Sequence, residues 1–250
     1  MNDVCAIPNV PEERMNRLWQ IITRMGTFFH PRYIRDTFQC YEILEYDLGH
    51  LNSVRSNACI DQENKPIPWY TYPAIEYLNQ FDFSGKTVFE YGCGNSSLYW
   101  GRIAKQVISV DDNQEWYNKI KNQIVAPNEL HFTDNKDRYP AFIGRYDRKF
   151  DIIVIDGNMR FRCAQRAVEN ISRTGIIILD NSDWYTHTAE FLRTTGFLQI
   201  DMTGFGPINR YIWTTSIFIS READLRPIHA LQPVGGIGSL KGIKPSDDYE

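Results

Sequence analysis

The chain has 250 residues, 42% hydrophobic and 14% aromatic, enough for one large domain or a core domain with an added segment. A net charge of −4 without a long basic run argues against a nucleic-acid partner. Cys5, Cys40, Cys59, Cys93 and Cys163 fit neither a disulfide framework nor a CxxC metal site. Met1 to Pro8 has no signal-peptide pattern, and no apolar run reaches the ~18 residues of a membrane span. These features lead us to expect a soluble, cytoplasmic protein.

Residues 11 to 51 read as amphipathic helix. Met15, Leu18, Trp19, Ile22 and Met25 share one stripe, His30-Pro31 breaks it, and Tyr33, Ile34, Phe38, Tyr41, Leu44 and Leu48 share a second, with Gly49 near its end. Aromatic stripes of this kind are usually core. They would form a cap or an interface, and a homo-oligomer through these helices is expected. From Asn52 periodicity fails, and Pro66, Pro68 and Pro73 bracket Trp69-Tyr70-Thr71-Tyr72. That aromatic loop reads equally as a lid over a site or as a plug between layers. We divide the chain into a helical extension and loop (1–72), a catalytic domain (73–220) and a tail (221–250).

A short helix, Ala74 to Gln80, precedes the apolar strand at Val88-Phe89. Strands and helices then alternate: helix Leu98–Lys105, strand Val107–Val110, helix Gln114–Gln123, strand Glu129–Thr133, helix Tyr139–Gly144 and strand Phe150–Ile155. Helix Phe161–Ser172, strand Ile176–Leu179 and helix Asp183–Thr195 complete the series. The alternation predicts a parallel α/β sheet covered by helices. Phe197–Met202 and Tyr211–Ser220, joined through Gly204-Phe-Gly-Pro207, predict a closing hairpin with an antiparallel strand. The fold class expected is therefore α/β, a Rossmann-like three-layer sandwich with a mostly parallel sheet, an antiparallel C-terminal hairpin and added N-terminal helices. Residues beyond 220 are rich in Pro and Gly and read as an extended or mobile tail.

The stretch Thr87-Val-Phe-Glu-Tyr-Gly-Cys-Gly-Asn-Ser-Ser97 carries the chemistry. Gly92 and Gly94 allow a tight turn and close backbone approach to a ligand, and Asn95, Ser96 and Ser97 can open a helix whose free N–H groups favour an anion. Acids end four predicted strands: Glu90, Asp111 with Asp112, Asp156, and Asp180 beside Asn181. One such acid is usually a helix cap, but four along the carboxyl edge of an open sheet mark a ligand site.

On these residues the chain resembles the class I S-adenosylmethionine-dependent methyltransferases. Glu90-Tyr-Gly-Cys-Gly-Asn-Ser96 is similar to that family's acid-x-Gly-x-Gly motif, and Val107 to Asp111 to its second motif. The resemblance covers about residues 70 to 220 and implies that family's seven-stranded sheet. It implies that Gly92 and Gly94 line the methionine part of S-adenosylmethionine, with Glu90 near its ammonium group and Ser96 in the same loop. Asp111, with Asp112 beside it, would take the ribose hydroxyls. Asp134 is the weaker match on the adenine side, with Asp137 or Tyr139 as replacements.

The types and placement of Asp156, Asp180 and Asn181 resemble the metal triad of the catechol and caffeoyl-coenzyme A O-methyltransferases. That implies Mg²⁺ or another divalent cation activating an acceptor hydroxyl. A metal-free reading stands beside it: Asp156 orients the acceptor or holds the cofactor's amine, Asp180-Asn181 caps the helix near Asp183, and His187 is the base. Trp184, Tyr185 and Arg160 lie near the same edge without an assigned role. The expectation is O-methylation of a small-molecule or sugar-like hydroxyl. A nicotinamide-dependent oxidoreductase and a non-catalytic binding module are the alternatives, and Ser97, standing where the third glycine of a dinucleotide loop would fall, disfavours the former.

Overall fold

The computed structural model describes residues 31–230 and 232–240, so the helix expected around Met15 to Met25 lies outside the described residues. The chain separates into two compact units, Met1–Leu44 and Glu45–Glu250. In the first, helix α1 (Arg32–Glu42) buries none of its residues, and Tyr33 and Tyr41 are exposed, so the core role expected for this stripe is not found there. A π-helical turn, Ile43–Asp47, follows it.

In the second unit α2 (His50–Ser56) extends into the stretch from Asn52 that the sequence suggested was loop. Gly49 precedes this helix rather than closing one, with φ of +74° and the Asp61 backbone so close that a Cβ would clash with it. After α3 (Tyr72–Leu78) come β1 (Thr87–Tyr91), α4 (Asn95–Ile103), β2 (Gln106–Asp111), α5 (Gln114–Ile120), β3 (Glu129–Phe132) and the short α6 (Arg138–Ala141). The series continues through β4 (Phe150–Ile155), α7 (Arg160–Asn170), β5 (Ile171–Leu179), α8 (Thr186–Thr194), β6 (Leu198–Gly204) and β7 (Trp213–Ile219).

These strands form one sheet of seven in the order β3-β2-β1-β4-β5-β7-β6. Strands β1 to β5 pair in parallel, while β7 runs antiparallel to both β5 and β6. The expected Rossmann-like sheet with its reversed hairpin is thus observed. Consecutive residues of β1, β2, β4 and β5 are buried, because helices and loops cover both faces of the sheet. On one face Phe89, Tyr91, Ile108, Ile153, Ile155, Ile177 and Leu179 pack with Cys163, Ala164 and Ala167 of α7 and Leu192 of α8.

Two features of this fold position the site. Chain order reverses between β1 and β4, which opens a crevice at their carboxyl ends. The segment before α3 is stitched to the hairpin: the Thr71 N–H donates to Thr215 Oγ1 at 3.0 Å, Thr71 Oγ1 donates to the Met202 carbonyl at 2.8 Å, and the Tyr72 N–H donates to the Phe205 carbonyl at 2.7 Å. Beyond β7 the chain is extended but tied down. Phe81 and Pro227 form an antiparallel bridge, the Ile228 N–H donates to the Gln80 carbonyl at 2.9 Å, and the Ile237 N–H donates to Glu76 Oε1 at 2.9 Å. No helix among the described residues is long and apolar enough to cross a membrane.

Candidate functional site

A cavity of about 490 Å³ opens at the carboxyl edge of the sheet, lined among others by Gly92, Gly94, Ser96, Asp111, Asp156 and Asp180. Its position follows from the crevice between β1 and β4, where the two strand-end loops nearly touch. Gly92 sits at φ +105°, and a Cβ there would stand 3.1 Å from the Gly157 backbone nitrogen. Glycine is thus required at this turn for conformation and for space.

The loop is held from behind. Phe89 and Tyr91 point into the core shared with α7, so strand alternation turns Glu90 toward the opposite face, under the start of α4. There Ser97 Oγ donates to Glu90 Oε2 at 2.5 Å, Ser109 Oγ donates to the same oxygen at 2.7 Å, and the Gly94 N–H donates to Ser97 Oγ at 3.3 Å. Glu90 Oε1 is buried without a partner. Burial pushes the Glu90 carboxyl up to about 7, against the lowering effect of the surrounding serine hydroxyls. Glu90 is fully buried and does not line the cavity, so its expected contact with the ligand is replaced by support of the loop through Ser97.

Asp111 ends β2 inside the cavity, 6% exposed, with its Oδ1 accepting the Asn113 N–H at 2.7 Å. Burial raises its pKa, while hydrogen bonds from Asn113 and Cys93 oppose the rise. The nucleotide-side candidates lie elsewhere. Asp112 is outside the lining, with Oδ1 accepting from Asn158 Nδ2 at 2.9 Å, and Asp134 is exposed and also outside it. Asp137 pairs with Arg162 at 2.9 Å on the surface, and Tyr139 is buried in the core, its hydroxyl without a partner and close to Gly157.

Asp156, Asp180 and Asn181 are brought together, but around a guanidinium. Arg160, the first residue of α7, donates from Nη2 to Asp156 Oδ1 at 3.1 Å and from Nη1 to Asn181 Oδ1 at 3.1 Å and to the Asp180 carbonyl. Asp180 Oδ1 is meanwhile taken by β7, accepting from Trp213 Nε1 at 3.0 Å and Thr215 Oγ1 at 2.5 Å. Burial raises the pKa of Asp156 and of Asp180; the nearby guanidinium opposes the rise in both.

A divalent cation needs several hard oxygens aimed at one point. Here one oxygen of each side chain, Asp156 Oδ1, Asp180 Oδ1 and Asn181 Oδ1, already accepts from N–H or O–H donors, and the Arg160 guanidinium stands between Asp156 and Asn181, so the expected metal triad does not fit. No group of three or more His, Cys, Asp or Glu side chains suited to a metal occurs among the described residues. The capping alternative is also corrected, because α8 starts only at Thr186 and has no side-chain cap. His187 is not in the cavity: its side chain is 93% exposed, 3.9 Å from Glu190.

The lining includes Trp69 and Trp184, which the sequence had placed in an aromatic loop and near this edge, while Trp116, Ile208, Asn209 and Tyr211 escaped the sequence reading. Trp69 reaches the cavity from the aromatic loop while Tyr70 and Tyr72 are buried, so that loop is wall and plug at once. Trp116 of α5 lies 6.5 Å from Trp69, ring to ring, with the Lys119 ammonium 4.6 Å from its centroid. Its cue was the Asn113 cap, whose Oδ1 accepts the Glu115 and Trp116 N–H groups and fixes the helix start. At the opposite end Trp184 and Tyr211 pair at 6.2 Å beside Ile208 and Asn209.

No protein-family model matches the chain, and no curated protein is significantly similar to it. Among solved structures it is similar to a methyltransferase-like protein from Silicibacter pomeroyi, at 19% identity over 62% of this chain and 89% of that one, with a TM-score of 0.45. It is similar to a precorrin 8W decarboxylase from Methanobacterium thermoautotrophicum, at 14% identity over 65% and 97% of the two chains and a TM-score of 0.46. A putative methyltransferase from Streptococcus mutans in complex with SAH matches at 10% identity over 57% and 93%, with a TM-score of 0.42. Likeness of this order says nothing about activity.

Proposed function

We propose that the protein transfers the methyl group of S-adenosylmethionine to a hydroxyl of a small-molecule or sugar-like acceptor. One observation carries this reading: the glycine turn and Asp111 share a single cavity with Asp156 and an aromatic wall. A donor molecule and an acceptor can therefore meet inside it. The cavity fits the cofactor on chemical grounds. Gly92 and Gly94 expose backbone without Cβ obstruction, and the Asp111 carboxylate can accept both hydroxyls of a ribose diol, which favours its ionised form. The acid-rich edge favours a cationic amine and sulfonium.

When bound, the cofactor supplies an electrophilic methyl on a sulfonium. The chain's own groups do the rest. Asp156 Oδ1 is engaged by Arg160, whereas Oδ2 has no hydrogen-bond partner among the described residues and faces the chemistry as the base. Gly92, Gly94 and Asp111 would hold the cofactor beside the acceptor, and Asp156 would take the proton of the acceptor hydroxyl as its oxygen is methylated. Trp184 and Tyr211 line the acceptor end and offer it two aromatic faces, and alignment of oxygen, carbon and sulfur supplies much of the remaining acceleration.

The test is label transfer from methyl-tritiated S-adenosylmethionine to a panel of hydroxylated small molecules. Asp156→Asn is expected to lower turnover about 100-fold or more while S-adenosylhomocysteine still binds. Full turnover in Asp156→Asn contradicts the role of the base.

A further inference from the structure

A guanidinium has five N–H groups, and all five of Arg160 are used. Nε donates to the Gly157 carbonyl at 3.0 Å; Nη1 donates to the Asp180 carbonyl and to Asn181 Oδ1 at 3.1 Å; Nη2 donates to the Asp156 carbonyl at 3.0 Å and to its Oδ1 at 3.1 Å. The plane is closed from one side by Tyr185, whose ring centroid lies 4.3 Å from Cζ. Arg160 is only 7% exposed, so this is a built cage and not a surface contact. Its oxygens come from the loops after β4 and β5, and its occupant from the first residue of α7.

We infer that Arg160 is the resident cation of the acceptor half of the cavity, standing where these oxygens would otherwise take a metal ion and making the site independent of divalent cations. The inference rests on the methyl-transfer reading for the word acceptor alone; the cation cage itself is independent of it. Arg160 touches neither a reacting atom nor the cofactor loop and acts as a positioning residue. It pins one oxygen of Asp156 and turns the Asn181 amide, so the two side chains that face the acceptor have one arrangement. Arginine suits this place because it stays charged when buried and its planar fork matches oxygens set in fixed directions. A second cation entering the cage would meet a permanent positive charge, with Asp180 Oδ1 already committed to Trp213 and Thr215.

Mn²⁺ titration followed by electron paramagnetic resonance tests this without any acceptor. The wild type is expected to leave the aqueous Mn²⁺ signal unchanged. Arg160→Ala, which empties the cage, is expected to take up Mn²⁺, and millimolar guanidinium is expected to weaken that uptake about tenfold by filling the same place. One Mn²⁺ bound by the wild type and lost in Asp156→Asn overturns the inference. So does a folded Arg160→Ala that takes none. If circular dichroism shows that Arg160→Ala does not fold, Arg160→Lys carries the test: its ammonium fills the cage and is expected to exclude Mn²⁺, and uptake by this variant overturns the inference. S-adenosylhomocysteine binding measured on the same wild-type sample separates the two claims. A protein that excludes Mn²⁺, gains it in Arg160→Ala and binds no cofactor would defeat the methyl-transfer reading alone.

Discussion

Glu90 supports the glycine loop through Ser97 and is held by Ser109 of β2 while its own carboxylate is wholly enclosed, and this combination has a cost that depends on pH. Its pKa in the folded protein is about 7, against 4.5 for the free side chain, with burial as the largest cause. A carboxyl raised in this way contributes its full stability below the unfolded pKa and loses it as pH rises through the folded one. Over that window the loss is on the order of 3 kcal/mol. Glu90→Gln keeps the shape and removes the charge. Its thermal midpoint is expected to fall less than that of the wild type between pH 5 and pH 8, and a parallel fall in both proteins would show that Glu90 does not titrate in this range. The acid itself was plain in the sequence as the end of an apolar run. Its direction was not, although strand alternation against Phe89 and Tyr91 contained it.

At the scale of elements, the link between β5 and β7 holds the far side of the site. Asp180, 2% exposed, receives Trp213 Nε1 and Thr215 Oγ1 from β7, and Thr215 Oγ1 also accepts from the Thr71 backbone. Trp213→Phe removes the indole donor and leaves a buried carboxylate short of one hydrogen bond. That is expected to cost about 1–3 kcal/mol, read as a lower urea midpoint; an unchanged midpoint would show that the bond contributes nothing. The central strands were legible because each is an apolar run closed by an acid. The start of β5 was not, since Ser172, Arg173, Thr174 and Gly175 interrupt its run before Ile176. Residues 52–56 did not read as helix because polar and charged side chains hide the period. The inward face of α8 carries Thr188, Ala189 and Leu192, and helical spacing therefore leaves His187 outside.

For the molecule as a whole, the reversal of chain order between β1 and β4 puts the glycine turn, Asp111 and Asp156 around one opening. The acid edge foretold where the opening would be. It did not foretell Arg160 inside the acid cluster, because that contact is made mainly with backbone carbonyls, which carry no residue-type signal. Nor did it reveal Trp116, which meets Trp69 of the aromatic loop across most of the β1–β2 unit. Cofactor binding at this opening is measured by calorimetric titration with S-adenosylhomocysteine, run on the wild type and on Asp111→Ala. Saturable binding to the wild type is expected, weakened at least about tenfold in Asp111→Ala by loss of a charged hydrogen-bond acceptor. No binding to the folded wild type would contradict the methyl-transfer reading, and undiminished binding to Asp111→Ala would contradict the place given to the ribose.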